Sequence, residues 1–437
     1  MASMWKYLRH LNDRRTVEAE KALRENYSIL MLASTLDMDM SPKYAAMSVV
    51  LAIFHYSILI STFVSLSSAA ILLSYDFEAA SGAGNLGLLI ALAIGFLLNF
   101  HSLRYEFLDI HSMMGKGIYE YSMEQLAIDD IKVFQKKMNF QRILLVFLAL
   151  YVCSISILVV MGPWLDNRFG NGYPTAYDKY GVNRQIPVPL YLPFENAEGI
   201  GYLAAMGITA LSGAVTCLVI GATSLVFSMV SQYILWEQKK LSCSIKTLIY
   251  RAKYIYSRSH HVDRKTLNSK IYDNPEFQKT IHFCLRENVE HHRAILDFMK
   301  TFEHFAREPL LSSFLIVTVA IGLSMLKLNE GVSRVGTSMS FAAVAIGELM
   351  NMLNIAVYGE YFITLSEDIN REIYFTPWYK FDLRNRKMIR QFLVGTHKPM
   401  SLSTWFVRMD MEMFSSVMHT AYSFFNFIKL SKTLENS

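Results

Sequence analysis

LSTWFVRMDMEMFSSVMHTAYSFFNFIKL, residues 402–430, decides how the whole chain is read. The stretch is apolar enough to enter a membrane as a helix from about Leu402 to Leu430, yet it carries Arg408, Asp410, Glu412 and His419. At about 100° per residue, Glu412, Ser416, His419, Ser423 and Phe427 fall in one narrow stripe. Phe414, Met418, Ala421, Phe425 and Ile428 take the opposite face. A polar stripe inside a membrane has to face protein or water. Two readings stay open. In one, the stripe lines a pore, with Glu412 near the inner end favouring cations and Phe427 closing the outer end. In the other, it packs against neighbouring helices while Arg408 pairs with Glu412. The cost of a polar stripe without water or partners favours the pore. Just upstream, Lys380 to Val394 reads as a basic helix with Arg384, Arg386, Lys387 and Arg390, which Gly395 ends before the Lys398-Pro399 break.

Working outward, the 437 residues are 52% hydrophobic and 18% charged, with a mean hydropathy of +0.25. That composition points to a polytopic membrane protein and away from a soluble enzyme. Seven segments reach the ~20 residues a bilayer requires: about 45–73, 86–103, 141–162, 203–234, 310–328, 337–363 and 403–430. Lys and Arg number 34 in the tail and loops of one side, against 5 in the loops of the other. By the positive-inside rule the N-terminus is cytoplasmic and the C-terminus external. The expected fold class is all-α, with seven transmembrane helices and a cytoplasmic helical anchor. Residues 1–44 form a cytoplasmic N-terminal segment without signal-peptide character. Residues 45–363 hold helices one to six and the cytoplasmic loop helices of 235–307. An anchor helix (364–401), the seventh helix (402–430) and a short external tail (431–437) follow. The sequon Asn26-Tyr27-Ser28 then lies in the cytosol and stays unmodified.

The loop 163–199, with Pro174, Pro187, Pro189 and Pro193, suits an ordered lid or a plain connector. Leu285, Val289, Ile295, Leu296, Met299 and Phe302 form an apolar stripe in the long cytoplasmic loop; Phe381, Met388, Ile389 and Phe392 form another. Each needs a partner, from the same subunit or from a neighbour.

Most chemistry fails. Gly82-Ala83-Gly84-Asn85-Leu86-Gly87 matches GxGxxG but follows no strand and falls in an outside loop, so dinucleotide binding is excluded. The loop histidines His260, His261, His282, His291, His292 and His304 lack metal-site spacing, and Cys153, Cys217, Cys243 and Cys284 suggest no disulfide framework. No catalytic constellation, cofactor or nucleic-acid site is expected. Glu348 stands apart as an acid deep in the sixth segment, with Asn351 and Asn354 at helical spacing after it. Interhelical hydrogen bonding is the preferred role there, ahead of direct ligand contact. Apolar and small residues in the outer halves of segments two, three, four and six include Leu88, Leu92, Ser154, Leu158, Met206, Ala210, Phe341 and Val344. They could enclose a small hydrophobic molecule or be ordinary helix packing, and from the residues alone packing is the preferred reading.

Several of these residues form a pattern. Tyr358-Gly359-Glu360-Tyr361 with Ser366-Glu367-Asp368 resembles the end of the sixth helix of insect odorant receptors. Trp378-Tyr379, Leu383-Arg384, Arg386-Lys387 and Lys398-Pro399 resemble the next cytoplasmic helix of that family, and Ala421-Tyr422-Ser423-Phe424-Phe425 its C-terminal ending. The resemblance implies a ligand-gated, non-selective cation channel in the plasma membrane of an olfactory neuron dendrite, opened by a small volatile hydrophobic odorant. It also implies a tetramer, either a heterotetramer with an odorant co-receptor subunit or a homotetramer. The outer-half residues above would be the ligand pocket and the seventh-helix stripe the pore. The 235–307 loop is too short for the co-receptor's insert, which implies a ligand-tuned subunit. A gustatory receptor-type channel is the nearest alternative. A G-protein-coupled receptor needs the opposite orientation, and a secondary transporter would show internal repeats.

Overall fold

The computed structural model describes residues 22, 45–122, 128–169, 176–262, 269–328 and 334–435, nearly all helical. Ten helices are used below: α1 (Ala45–Leu72), α2 (Phe77–Ser102), α3 (Arg104–Lys116), α4 (Ile128–Phe169), α5 (Gly199–Lys246), α6 (Leu248–His260), α7 (Pro275–Leu328), α8 (Val335–Phe375), α9 (Leu383–Thr396) and α10 (Met411–Glu435). Among the described residues, α1, α2, α4, α5, α7 and α8 each contain a stretch long and apolar enough to cross a membrane. Over its described residues, α10 is not among them. The sequon at Asn26 lies outside the described residues.

Four helices far outrun a bilayer, α4 with 42 residues among them. With 48, 54 and 41 residues, α5, α7 and α8 reach roughly 60–80 Å at ~1.5 Å per residue, against a ~30 Å hydrocarbon core. Their overhang meets α3, α6 and α9 at one end of the bundle. The charge pattern makes that end the inner one, and the end carrying residues 176–198 the outer one.

Local boundaries depart from expectation where capping chemistry outweighs hydropathy. Asp76 accepts a hydrogen bond from Ala79 N–H at 3.2 Å and starts α2 there. Gly82 to Gly87 therefore lie inside a helix and not in an outside loop. Asn85 within them donates to Ala320 O at 2.7 Å and to Ser324 Oγ at 2.6 Å, joining α2 to α7. Asp382 caps α9 through Asn385 N–H at 2.8 Å, so that helix begins at Leu383 and not Lys380, and it continues through Gly395 to Thr396. Asp410 caps α10 through Met413 N–H at 3.0 Å. The final helix thus begins at Met411, while 402–410 form a tight hairpin with Thr404 N–H bonded to Val407 O and Met409 N–H to Leu402 O. The sixth-segment helix runs on to Phe375, into the stretch assigned to the anchor.

Both cytoplasmic apolar stripes are covered within this one chain. Leu285, Ile295, Met299 and Phe302 are buried, as are Phe381, Ile389 and Phe392. Burying these aliphatic and aromatic side chains contributes about 1.5–3 kcal/mol each. The inner end is also tightly hydrogen-bonded. Buried Arg251 pairs with Glu287 and reaches Asn288 Oδ1 at 3.2 Å, while Ser244 donates to the same oxygen at 2.6 Å. His291 Nε2 lies 3.1 Å from Glu237, and Tyr121 OH 2.7 Å from its Nδ1.

Candidate ligand cavity and pore face

In the outer half, α4 and α8 come together through small residues. A Cβ on Gly336 would fall 2.1 Å from Gly162 O, and Asp166 Oδ1 accepts from Gly336 N–H at 2.6 Å, capping α8 from the end of α4. Ser340 Oγ donates to Leu158 O at 3.0 Å and Tyr151 OH to Ala343 O at 2.8 Å. Between α2, α4, α5 and α8, two apolar cavities open. One, of about 90 Å³, is walled by Leu89, Leu92, Ile155, Thr216, Val344 and Glu348 among others. The second, of about 80 Å³, shares Leu89, Ile155, Thr216 and Val344 with it and extends to Val188 and Leu190 of the outer loop. A third space of about 50 Å³, lined by Asp166, Arg184, Arg334 and Phe341, lies nearer the solvent under the same loop.

That loop is ordered without regular structure over 176–198. Val182, Ile186, Val188 and Leu190 point inward. Arg184 pairs with Asp76 at 3.0 Å, and Ser65 Oγ donates to Tyr191 O at 2.7 Å.

Of the eight anticipated pocket residues, Leu92 and Val344 line the 90 Å³ cavity and Phe341 the outer space. Leu88, Ser154, Leu158, Met206 and Ala210 line none of the three. The cavity side chains lie one position away: Leu89, Ile155, Val159 and Thr209. One residue is about 100° of helix, and only the crossing geometry of the neighbouring helices sets that rotation. On the sixth-segment helix, Asn351 accepts from Ser224 Oγ at 2.7 Å and Asn354 donates to Ser228 Oγ at 2.8 Å, the interhelical role anticipated for them. Glu348 has no such bond and faces the cavity wall.

The five stripe residues Glu412, Ser416, His419, Ser423 and Phe427 are all exposed on this subunit, while Met413, Val417 and Ala421 are buried against it. Phe427 is 70% exposed. Backbone contact holds α10 in this rotation. A Cβ on Gly359 would sit 1.5 Å from Met409 O, so the hairpin before α10 lies directly on α8. A Cβ on Gly322 would sit 2.4 Å from the Phe424 ring, so α10 lies directly on α7. Trp405 Nε1 donates to Glu308 at 2.9 Å and stacks under Arg307 at 4.6 Å, fixing the hairpin to α7. Arg408 pairs with Asp410 and lies 3.9 Å from Glu412. Arg408 belongs to the hairpin, not to the helix, and the Glu412 side chain is 89% exposed, so this contact is weak.

The motif residues read in the sequence have structural work at the inner end. Tyr358 OH accepts from Gln232 at 2.9 Å, and Ser366 Oγ accepts from Met400 N–H at 2.9 Å, just past Lys398-Pro399. Among the described residues no cluster of His, Cys, Asp or Glu could hold a metal.

A family model described as 7tm Odorant receptor matches residues 97–422. Among curated proteins, the chain is 22% identical over 190 residues to a putative odorant receptor 85d of Drosophila melanogaster, covering 43% of this chain and 44% of that one. It is 23% identical over 199 residues to odorant receptor 56a of the same organism, covering 44% and 46%. The matched stretches thus span less than half the length of those relatives. The insect olfactory receptor OR5 from Machilis hrabei in complex with eugenol superposes with a TM-score of 0.70 at 10% identity, over 95% of this chain and 100% of that one. A second structure of that receptor superposes with a TM-score of 0.65 at 11% identity, over 93% of this chain and 98% of that one.

Proposed function

The chain belongs to the 7tm odorant receptor family, and from that premise we propose that it is an odorant receptor subunit forming a ligand-gated, non-selective cation channel. It is a multi-pass membrane protein of receptor type and not an enzyme. The observation that carries the channel reading is the exposure of all five stripe residues of α10 on a helix whose other face is anchored to the subunit. A polar helix face left open at membrane depth calls for further subunits or water beside it. A tetramer supplies both, with four α10 stripes around one axis. Either a co-receptor subunit or further copies of this chain complete the ring. The agonist is a small hydrophobic molecule in the outer cavities, by analogy with the Machilis receptor and its eugenol. Loop 176–198 roofs that site. The pathway from site to gate runs through α8, because Val344 lines the cavity and Gly359 touches the hairpin that leads into α10.

The test is whole-cell recording from cells expressing this chain alone or with a co-receptor subunit, challenged with an odorant panel. Ligand-evoked cation current that follows surface expression in one of the two conditions is expected. Surface-expressed protein that stays silent to the whole panel in both conditions would overturn the reading.

A further inference from the structure

At the α5–α8 seam, the polar side chains around the cavity have partners, and Glu348 among them does not. Ser224 and Asn351 pair, as do Ser228 and Asn354. Thr216 returns its hydroxyl to Ser212 O at 2.8 Å. One turn before Asn351, Glu348 is 7% exposed, and neither of its carboxylate oxygens has a hydrogen-bond partner. It lies on the wall of the 90 Å³ cavity, where the other described lining residues are apolar or already bonded and include no Lys, Arg or His.

An ionisable group at such a site costs several kcal/mol unless something pairs with it. Among the described residues none partners it, and the open side of the group is the cavity. The occupant that relieves this cost brings a hydrogen-bond donor to the carboxyl group, and a cationic donor relieves it most. The remaining walls ask for an apolar body. We infer that the cavity takes a small amine, an apolar chain or ring with one basic nitrogen, whose N–H groups bond to Glu348. This rests on the odorant-receptor reading above and narrows it to a ligand class. Such a site rejects an isosteric ligand lacking the donor more strongly than it rejects one differing by a methylene, because the buried acid is then left unpaired.

Recordings on the full chain with its co-receptor subunit, using hexylamine, hexan-1-ol and heptane as probes, test the inference. Hexylamine is expected to be the most potent by roughly tenfold or more. Glu348→Gln should lower hexylamine potency by at least about tenfold and leave hexan-1-ol within about threefold, at unchanged surface level. Glu348→Asp, which keeps the carboxyl group, should retain the amine preference. Equal potency of amine and alcohol on the parent overturns the inference, as does a Gln variant that weakens both probes alike. If Glu348→Gln does not reach the surface, the parent's ranking of the three probes decides. Current evoked by other odorants but by none of these three overturns the amine assignment and leaves the channel reading standing; silence to everything overturns the channel reading itself.

Discussion

The two ends of the helical bundle solve the same problem in opposite ways. At the inner end, buried charged groups meet partners from the same chain: Arg251 meets Glu287, and His291 meets Glu237 and Tyr121, while buried Asn385 Nδ2 donates to Gln278 O at 2.9 Å. At the outer end, the same long helices separate around apolar cavities and leave Glu348 without a partner. A satisfied polar network holds one arrangement, because any shift strands a buried group. Apolar walls around a void have no such directional constraint, and a ligand can reshape them for a small cost. The inner end is built to stay as it is, and the outer end to respond.

The comparison first depends on which end faces out. A glycosylation sequon engineered beside Lys179 should be fully modified and one engineered beside His260 not at all, judged by a gel shift on glycosidase treatment. The reverse pattern would invert the charge reading of the bundle. Next in size is the cost of removing one buried charge at each end. Arg251→Met leaves Glu287 buried and unpaired, worth about 3–5 kcal/mol, and should abolish most surface expression. Glu348→Gln removes a group that has no partner and should leave the surface level near that of the parent. Equal loss in both variants would erase the distinction between the ends.

The pore face comes next. Phe427→Ala should raise ligand-independent current, and Glu412→Lys should depress cation conductance by severalfold, both at normal surface level. Parent-like conduction in both variants would move the pore off this face. Smaller effects separate the cavity wall from its neighbours: Ile155→Ala should shift ligand rank order by about 1–3 kcal/mol, or roughly ten- to hundredfold in potency, whereas Ser154→Ala next to it should not. Smallest is a pH effect at the inner end. His111 is fully buried beside Phe107, and burial lowers its pKa from 6.5 to about 4, against the opposing effect of the Phe107 carbonyl. Between those values the unfolded chain takes up a proton that the folded one refuses, so the stability is present above pH 6.5 and declines as pH falls toward 4. Thermal unfolding at pH 7.5 and 5 should differ more for the parent than for His111→Gln.

What was legible in the sequence followed from short-range physics. Helical spans declare themselves through runs of apolar residues, their orientation through Lys and Arg, and the α10 stripe through a 100° period. Each of these depends on residues close together in the chain. The family resemblance was legible too, at Tyr358-Gly359 and Lys398-Pro399, where the structure now supplies a reason: Gly359 admits the hairpin backbone, and Ser366 holds the chain just after Pro399. Hydropathy alone overran the start of α10 by nine residues, although Asp410 stands in the sequence as a capping residue.

The rest was decided only in three dimensions. Leu88 and Leu89 are the same residue type, and a rotation of about 100° settles which of them meets the cavity. That rotation is set by contacts between distant residues, such as Gly162 against Gly336 and Tyr151 against Ala343 O. The apolar stripes of the inner helices likewise announced that they would be covered, and the tertiary packing supplied the partner from the same chain. Glu348 shows the division most plainly. Its sequence position marked it as costly, but only the arrangement of α2, α4, α5 and α8 left it facing a cavity with nothing to bond, because whether a buried group is satisfied depends on every helix around it.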